Sequence, residues 1–295
     1  MAAKRVLVTG ANKGIGLAIV RATLDAEADT FVFLGSRDTA RGEAARDALV
    51  AARPEWADRV AVVALDVTDD DSVKAAMASI REAVPGEATP LYGVVNNAGI
   101  GRGSGSEDVL NVNLYGPHRV CEAALPLLAD GGRVVNVSSA SGPNFVARCS
   151  PERQKTFTDP DVTWEQVVSL VETYLGALRE TGDFAAVGLG DGDAYGMSKA
   201  CLNAYTMNLA RRLPNVTVNA CTPGFIETDL TRPYAEARGV TPEEMGMKPP
   251  AAATRAPLHL LLGDPGASGW YFGSDAERSP LDRYRSPGDP PYTGD

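Results

Sequence analysis

Arg5-Val6-Leu7-Val8-Thr9-Gly10-Ala11-Asn12-Lys13-Gly14-Ile15-Gly16 begins as a short β-rich run, turns through glycines 10, 14 and 16, and continues into a helical pattern. A phosphate-binding turn needs this arrangement. Bare backbone must approach a pyrophosphate closely, and the N-terminus of the following helix supplies free N–H groups and positive potential. A glycine-rich turn on its own is often no more than a tight turn. Placed between a first strand and a first helix, it points to a dinucleotide-binding α/β fold, with Gly10, Asn12, Lys13, Gly14, Ile15 and Gly16 as candidate contacts.

Outward from that unit, β-rich runs alternate with longer helical patterns to about residue 225, the signature of βαβ units and a parallel sheet covered on both faces. Strands are expected near 5–9, 30–35, 60–67, 92–96, 133–137 and 216–220, with a last one at 270–273. Helices are expected near 15–24, 40–52, 72–83, 108–128, 195–213 and 251–262, with capping side chains between Asp69 and Ser72. The expected fold is α/β: a doubly wound Rossmann-type parallel sheet of about seven strands with helices on both faces, in one domain over 1–275. Two stretches break the rhythm. One is an insertion over about 141–193, and the other is a Pro/Gly/Asp-rich tail over 276–295, read as irregular surface chain.

The composition suits a sizeable core, with 44% hydrophobic residues in 295. A formal net charge of -10 argues against nucleic acid or an anionic membrane as the main partner, because both need a positive footprint. No segment approaches the roughly 20 apolar residues of a membrane span, and the first ten residues hold too short an apolar run for a signal peptide. A cytoplasmic protein is the expectation. Cys121, Cys149, Cys201 and Cys221 lack any metal-binding spacing, so no metal site is expected and the thiols read as reduced.

The strand ends carry further candidates. At the end of the second strand, where a carboxylate would hold a ribose 2′-hydroxyl, the chain has Ser36-Arg37. Arg37 offers a planar fork of donors to a 2′-phosphate, with Ser36, Lys13 and Arg41 in support, which favours NADP(H) over NAD(H); the other reading of Arg37 is a solvated loop charge. Asp66 and Val67 end the third strand, where Asp66 either meets an adenine or caps the next helix. Asn96-Asn97-Ala98-Gly99 ends the fourth, suiting either a wall against the cofactor or a tie between strands.

The fifth strand ends in Ser138-Ser139, usually a turn or cap, and Asn113 lies in the helix before it, where a surface amide is the plain reading. Tyr195-Gly196-Met197-Ser198-Lys199 places a phenol and an ammonium four residues apart on one helix face. A fixed cation there would favour the ionised phenol, which otherwise titrates near pH 10.

Taken in order, TGxxxGxG at 9–16, NNAG at 96–99, Asn113, NVSS ending at Ser139, YxxxK at 195–199 and Pro223-Gly224 resemble the short-chain dehydrogenase/reductase family, over residues 4 to about 275. Within it, the runs 9–21, 37–42 and 133–139, the segment 149–152 and the long insertion before Tyr195 most resemble the monomeric NADPH-dependent carbonyl reductases. The resemblance implies reduction of a small-molecule carbonyl, ketone, aldehyde or quinone, with NADP(H) as cofactor. Tyr195 would be the proton donor, Ser139 would bind the carbonyl oxygen, Lys199 would hold the nicotinamide ribose and lower the Tyr195 pKa, and Asn113 would hold a relay water. Pro223, Gly224, Ile226 and Thr228 would wrap the nicotinamide. Ser139 and Tyr195 are 56 positions apart, more than in most relatives, and the insertion carries apolar residues at helical spacing over 164–175. That helix is expected to pack where relatives dimerise, leaving a monomer. The glycine-rich segment 99–106 is shorter than the substrate-side loop of animal carbonyl reductases. Two further readings keep the same residues: a pathway-specific ketoreductase or alcohol dehydrogenase of secondary metabolism, and a non-catalytic NADP(H)-sensing protein.

Overall fold

In the computed structural model, which describes residues 4–101 and 103–294, the N-terminal apolar run is a strand buried on both faces: Val6, Leu7 and Val8 expose no surface. Met1 and Arg102, which belong to the signal-peptide and loop readings, lie outside the described residues. A strand buried on both sides belongs at the centre of a sheet with a layer over each face. The strands are β1 (Lys4–Val8), β2 (Thr30–Ser36), β3 (Val60–Ala64), β4 (Leu91–Asn96), β5 (Leu128–Val137), β6 (Thr217–Cys221), β7 (Tyr271–Phe272) and β8 (Arg278–Ser279). Their spatial order is 3-2-1-4-5-6-7-8, parallel except for the antiparallel pair β7 and β8. The order reverses between β1 and β4, and doubly wound sheets bind ligands at the carboxyl ends beside that point.

The helices are α1 (Gly14–Ala26), α2 (Thr39–Ala52), α3 (Asp70–Ala83), α4 (Ser106–Leu110), α5 (Gly116–Ala124), α6 (Ser141–Val146), α7 (Pro151–Thr158), α8 (Trp164–Glu180), α9 (Ala194–Arg212), α10 (Arg232–Glu236) and α11 (Arg255–Leu262). Alternate strand residues feed two cores, as the pleat requires. Leu7, Phe33, Val94 and Val134 pack with α3, α5, α8 and α9, whereas Val6, Val32, Val95 and Val135 pack with α1, α2 and α11. Asp69 caps α3, accepting from the N–H groups of Asp71 at 2.9 Å and Ser72 at 3.4 Å.

Three expectations change. The single helix over 108–128 is broken into α4, a π-helical turn over Asn111–Tyr115, α5 and a 3-10 turn over Leu125–Leu127. Pro117 supplies no N–H to the Asn113 carbonyl, and Pro126 repeats the interruption before β5. The helix expected over 251–262 divides likewise, into a 3-10 turn at Pro250–Ala253 and α11. The tail also carries an eighth strand, β8, too short at two residues to show a period in the sequence.

The insertion folds into α6, α7 and α8. A capping box starts α8: Gln166 N–H donates to Thr163 Oγ at 3.2 Å, and Thr163 N–H donates to Gln166 Oε1 at 2.8 Å. Val167, Leu170, Val171 and Tyr174 are buried toward α9, so this segment is core and not a surface lobe. Trp164 stacks on His118 at 4.0 Å, closing the helix over α5 as well. Among the described residues, no helix is long and apolar enough to cross a membrane.

Candidate active site

β5 delivers Ser138 and Ser139 to the carboxyl edge of the sheet, and the chain turns at once into α6. α6 lies on α9 with almost no side-chain spacer. A Cβ on Gly142 would sit 3.0 Å from the Lys199 carbonyl carbon, and one on Gly196 would sit 2.9 Å from Phe145 Cβ and 3.1 Å from Ser141 O. That approach brings Ser139 to Tyr195. Ser139 Oγ accepts from Ser141 N–H at 3.1 Å and hydrogen-bonds the Tyr195 phenol. Lys199, one turn further on, is 4% exposed; its Nζ donates to Val137 O at 2.9 Å and lies 5.7 Å from the centre of the Tyr195 ring.

Electrostatics here differ from the sequence expectation. Burial pushes the Tyr195 phenol up to about 12, against the Ser139 hydrogen bond, and the Tyr234 phenol and Asp193 carboxyl add to the rise. The Lys199 ammonium is directed at a backbone carbonyl, and burial lowers its pKa to about 8. In the protein alone, desolvation outweighs any pull of Lys199 on the phenol, which stays neutral. Tyr234, an aromatic residue whose sequence context reads equally as pocket lining or ordinary packing, bears on this group because α10 reaches the cleft through the loop after β6.

Asn113 is fully buried in the π-helical turn and is no surface amide. Its Oδ1 accepts from Ile100 N–H at 2.9 Å, while its Nδ2 donates to Ile100 O at 2.9 Å and Ser198 Oγ at 3.1 Å. The side chain thereby fixes the chain after Gly99 to the start of α9.

A cleft of about 650 Å³ runs from Tyr195 and Lys199 to the ends of β2 and β3. Gly10, Asn12, Lys13, Gly14 and Ile15 line it along the turn, while Asn97, Ala98 and Gly99 form the opposite wall. Pro223 and Thr228 border the Tyr195 end, with Arg37, Arg41, Asp66 and Val67 at the other. The turn suits an anion: Gly10 has φ +61°, α1 begins without a side-chain cap, and its first turn holds no carboxylate. The turn is also packed close against the opposite wall, since a Cβ on Gly10 would meet Ala98 Cα at 2.9 Å.

Several candidates serve the frame. Gly16 faces inward, where a Cβ would meet Asn97 Nδ2 at 2.5 Å. Asn97 Nδ2 donates to Thr9 O at 2.9 Å, and Asn96 Nδ2 donates to Asn136 Oδ1 at 2.8 Å, so the amide pair does tie neighbouring strands. Ser36 is buried with its hydroxyl donating to Asp38 O at 2.7 Å, away from the cleft lining. Ile226 is buried and forms a bridge with Lys248, and Gly224 turns behind Pro223 at φ +95°. Asp66 Oδ1 accepts from Thr68 N–H at 2.9 Å while Asp69 takes the capping role, and Asp66 Oδ2 lies 3.9 Å from Arg37 Nε. Arg37 is 76% exposed at the cleft, and Arg41 pairs with Asp38 at 3.2 Å. Lys13 is paired across the mouth with Asp229, which Arg232 also holds at 2.7 Å. Nothing in the spacing from 13 to 229 foretold that bridge.

The family described as short chain dehydrogenase matches residues 4–151, and the chain belongs to it: it is an oxidoreductase of the short-chain dehydrogenase family. Among curated relatives, carbonyl reductase (NADPH) 1 of Pongo abelii and its Homo sapiens counterpart are each 33% identical over 279 residues, covering 89% of this chain and 92% of theirs. Among solved structures, salutaridine reductase from Papaver somniferum aligns with a TM-score of 0.75 at 27% identity, over 91% of this chain and 99% of that one. Menthone neomenthol reductase from Mentha piperita gives 0.74 at 27%, over 93% and 99%.

The buried Lys199 makes stability depend on pH. Its folded pKa near 8 lies below the ordinary 10.5, so between those values the unfolded chain binds more protons and stability from this group rises with pH. Tyr195, raised to about 12, acts oppositely between about 10 and 12. In denaturant titrations without cofactor, the stability of the protein minus that of Lys199→Met should climb by roughly 1 kcal/mol per pH unit from pH 8 to 10. A flat difference would show that Lys199 is not held as a desolvated amine.

Proposed function

We propose that the protein is a cytoplasmic, monomeric NADPH-dependent reductase that converts a carbonyl, as a ketone, aldehyde or quinone, into an alcohol, with Tyr195 as proton donor. One observation carries the reading: Tyr195, hydrogen-bonded to Ser139 and backed by buried Lys199, lines one end of the cleft whose other end holds Arg37 and Arg41. NADPH, when bound, supplies the hydride. The glycine turn and the uncapped N-terminus of α1 suit its pyrophosphate, and exposed Arg37 and Arg41 suit its 2′-phosphate. Named relatives include NADPH carbonyl reductases, which supports the same cofactor and substrate class.

The chain's own chemistry follows from the site. A phenol kept neutral by burial arrives with its proton in place and gives it to the carbonyl oxygen. Ser139 Oγ hydrogen-bonds that oxygen as negative charge develops. Lys199, close to neutrality in its titration, is suited to return a proton toward Tyr195. Asn113 assists that relay through its main chain: its amide is engaged with Ile100 and Ser198, whereas Pro117 withholds the N–H that its carbonyl would ordinarily accept.

α8 supports the monomer by covering α9 and α5 with Leu170, Val171, Tyr174 and Trp164. Four buried cysteines, none in a disulfide, suit the cytoplasm. A second reading, a pathway-specific reductase of one ketone, has its support in the likeness to salutaridine reductase and menthone neomenthol reductase, each named for a defined compound.

Tyr195→Phe should bind NADPH as before and lose about 10²–10⁴-fold in kcat; unchanged turnover would remove Tyr195 from the role. Arg37→Ala should weaken NADPH about tenfold while NADH changes by less than about twofold, and equal affinity for the two nucleotides in the starting protein would overturn the 2′-phosphate assignment. Light scattering should return the mass of one chain, 31.0 kDa, and a stable dimer would contradict the monomer.

A further inference from the structure

Lys13, Arg37 and Arg41 line the cleft, and each faces a carboxylate of the same chain. Arg37 Nε lies 3.9 Å from Asp66 Oδ2, Arg41 Nε lies 3.2 Å from Asp38 Oδ2, and Lys13 Nζ pairs with Asp229 Oδ2. Two of these carboxylates also serve the backbone beside them: Asp66 Oδ1 accepts from Thr68 N–H at 2.9 Å, and Asp38 Oδ1 caps α2 by accepting from Arg41 N–H at 3.0 Å. The Asp229 carboxylate has no such task. Among the described residues its partners are the side chains of Lys13 and Arg232, the latter at 2.7 Å.

A braced segment presents Asp229 to the glycine turn. Thr228 N–H donates to Thr231 Oγ at 2.9 Å, Thr231 Oγ donates to Ile226 O at 2.5 Å, and Glu227 N–H donates to Lys248 O at 2.8 Å. A Cβ on Gly14 would stand 3.6 Å from Thr228 Cγ2, so the segment lies against the turn itself. Lys13 is the N-cap residue of α1, next to the free N–H groups that suit a pyrophosphate. The ammonium beside that anion seat is therefore already taken by an anion of the chain. Lys13 holds the Asp229 carboxyl below the usual carboxylate range, with Arg232 adding to the effect, so the competing charge is in place at neutral pH.

We propose that Asp229 is a specificity-determining residue for the nucleotide: by occupying Lys13 it competes with the cofactor's phosphate groups and holds down the preference for NADPH. This rests on the reductase reading, which supplies the ligand. Removing one negative charge from the cleft favours the more highly charged nucleotide, so NADPH gains more than NADH. Both side chains of the bridge are 59% exposed, and solvent screening limits the effect to about fivefold in a binding constant.

The test is fluorescence titration of the full chain with NADPH and with NADH, in the starting protein, Asp229→Asn, Lys13→Met and the double variant. Asp229→Asn should lower the Kd for NADPH about three- to fivefold and that for NADH by less than about twofold. In the Lys13→Met background the same substitution should move the NADPH Kd by less than about twofold, the non-additivity expected of a residue that acts through Lys13. A higher Kd for NADPH in Asp229→Asn would show the bridge to be a clasp that retains the nucleotide, and would overturn the competition. An unchanged Kd, or equal tightening with and without Lys13, would overturn it as well, and each of these results leaves the reductase reading standing. A starting protein that binds neither nucleotide would overturn that reading and the competition with it.

Discussion

The contact of α6 with α9 is made nearly backbone to backbone, and the geometry of the site depends on it. Gly142 and Gly196 leave no room for a Cβ between the two helices. Ser139 enters from the strand end before α6, and Tyr195 from the first turn of α9, so this approach decides that two residues 56 positions apart share a hydrogen bond. α9 is held from its other side too. Tyr174 of α8 donates to Gly192 O at 2.9 Å just before the helix begins, and α8 buries an apolar face against it. A side chain at either glycine would push the helices apart and pull Ser139 from the phenol without altering either residue.

Desolvation then sets the charge state of the pair. A phenol and an ammonium four residues apart would be expected to favour the ionised phenol, yet both groups are driven toward neutrality, Tyr195 upward and Lys199 downward. The difference lies in where Nζ points. It donates to Val137 O, so the sheet takes the attention of the ammonium. A neutral phenol beside a hydroxyl is the state from which a proton can be given, and a lysine titrating near neutrality is a suitable neighbour to replace it.

Two segments that looked like additions to the frame prove to be parts of it. The insertion closes one core through α8, and the tail covers the β7 edge by pairing β8 antiparallel to it. Each lies against an element carrying site residues: α9 for the first, the Pro223-Gly224 turn for the second.

The α/β class, the parallel sheet, the glycine turn at Gly10–Gly16 and the Tyr195–Lys199 helix were legible in the sequence, because each is written in local periodicity or in residue types that one local backbone demands. The break at Pro117 was legible in principle, yet a helical period runs across it and hid the π-helical turn that holds Asn113. What the sequence could not display depends on distant chain segments meeting at the sheet's carboxyl edge: the Lys13–Asp229 bridge and the influence of Tyr234 on Tyr195. Contacts of that kind follow from which strand ends the topology makes neighbours, and the pKa values follow from how much water those neighbours exclude. The residue types of the candidate site were therefore legible in the chain alone, while their charge states and their partners were decided by tertiary packing.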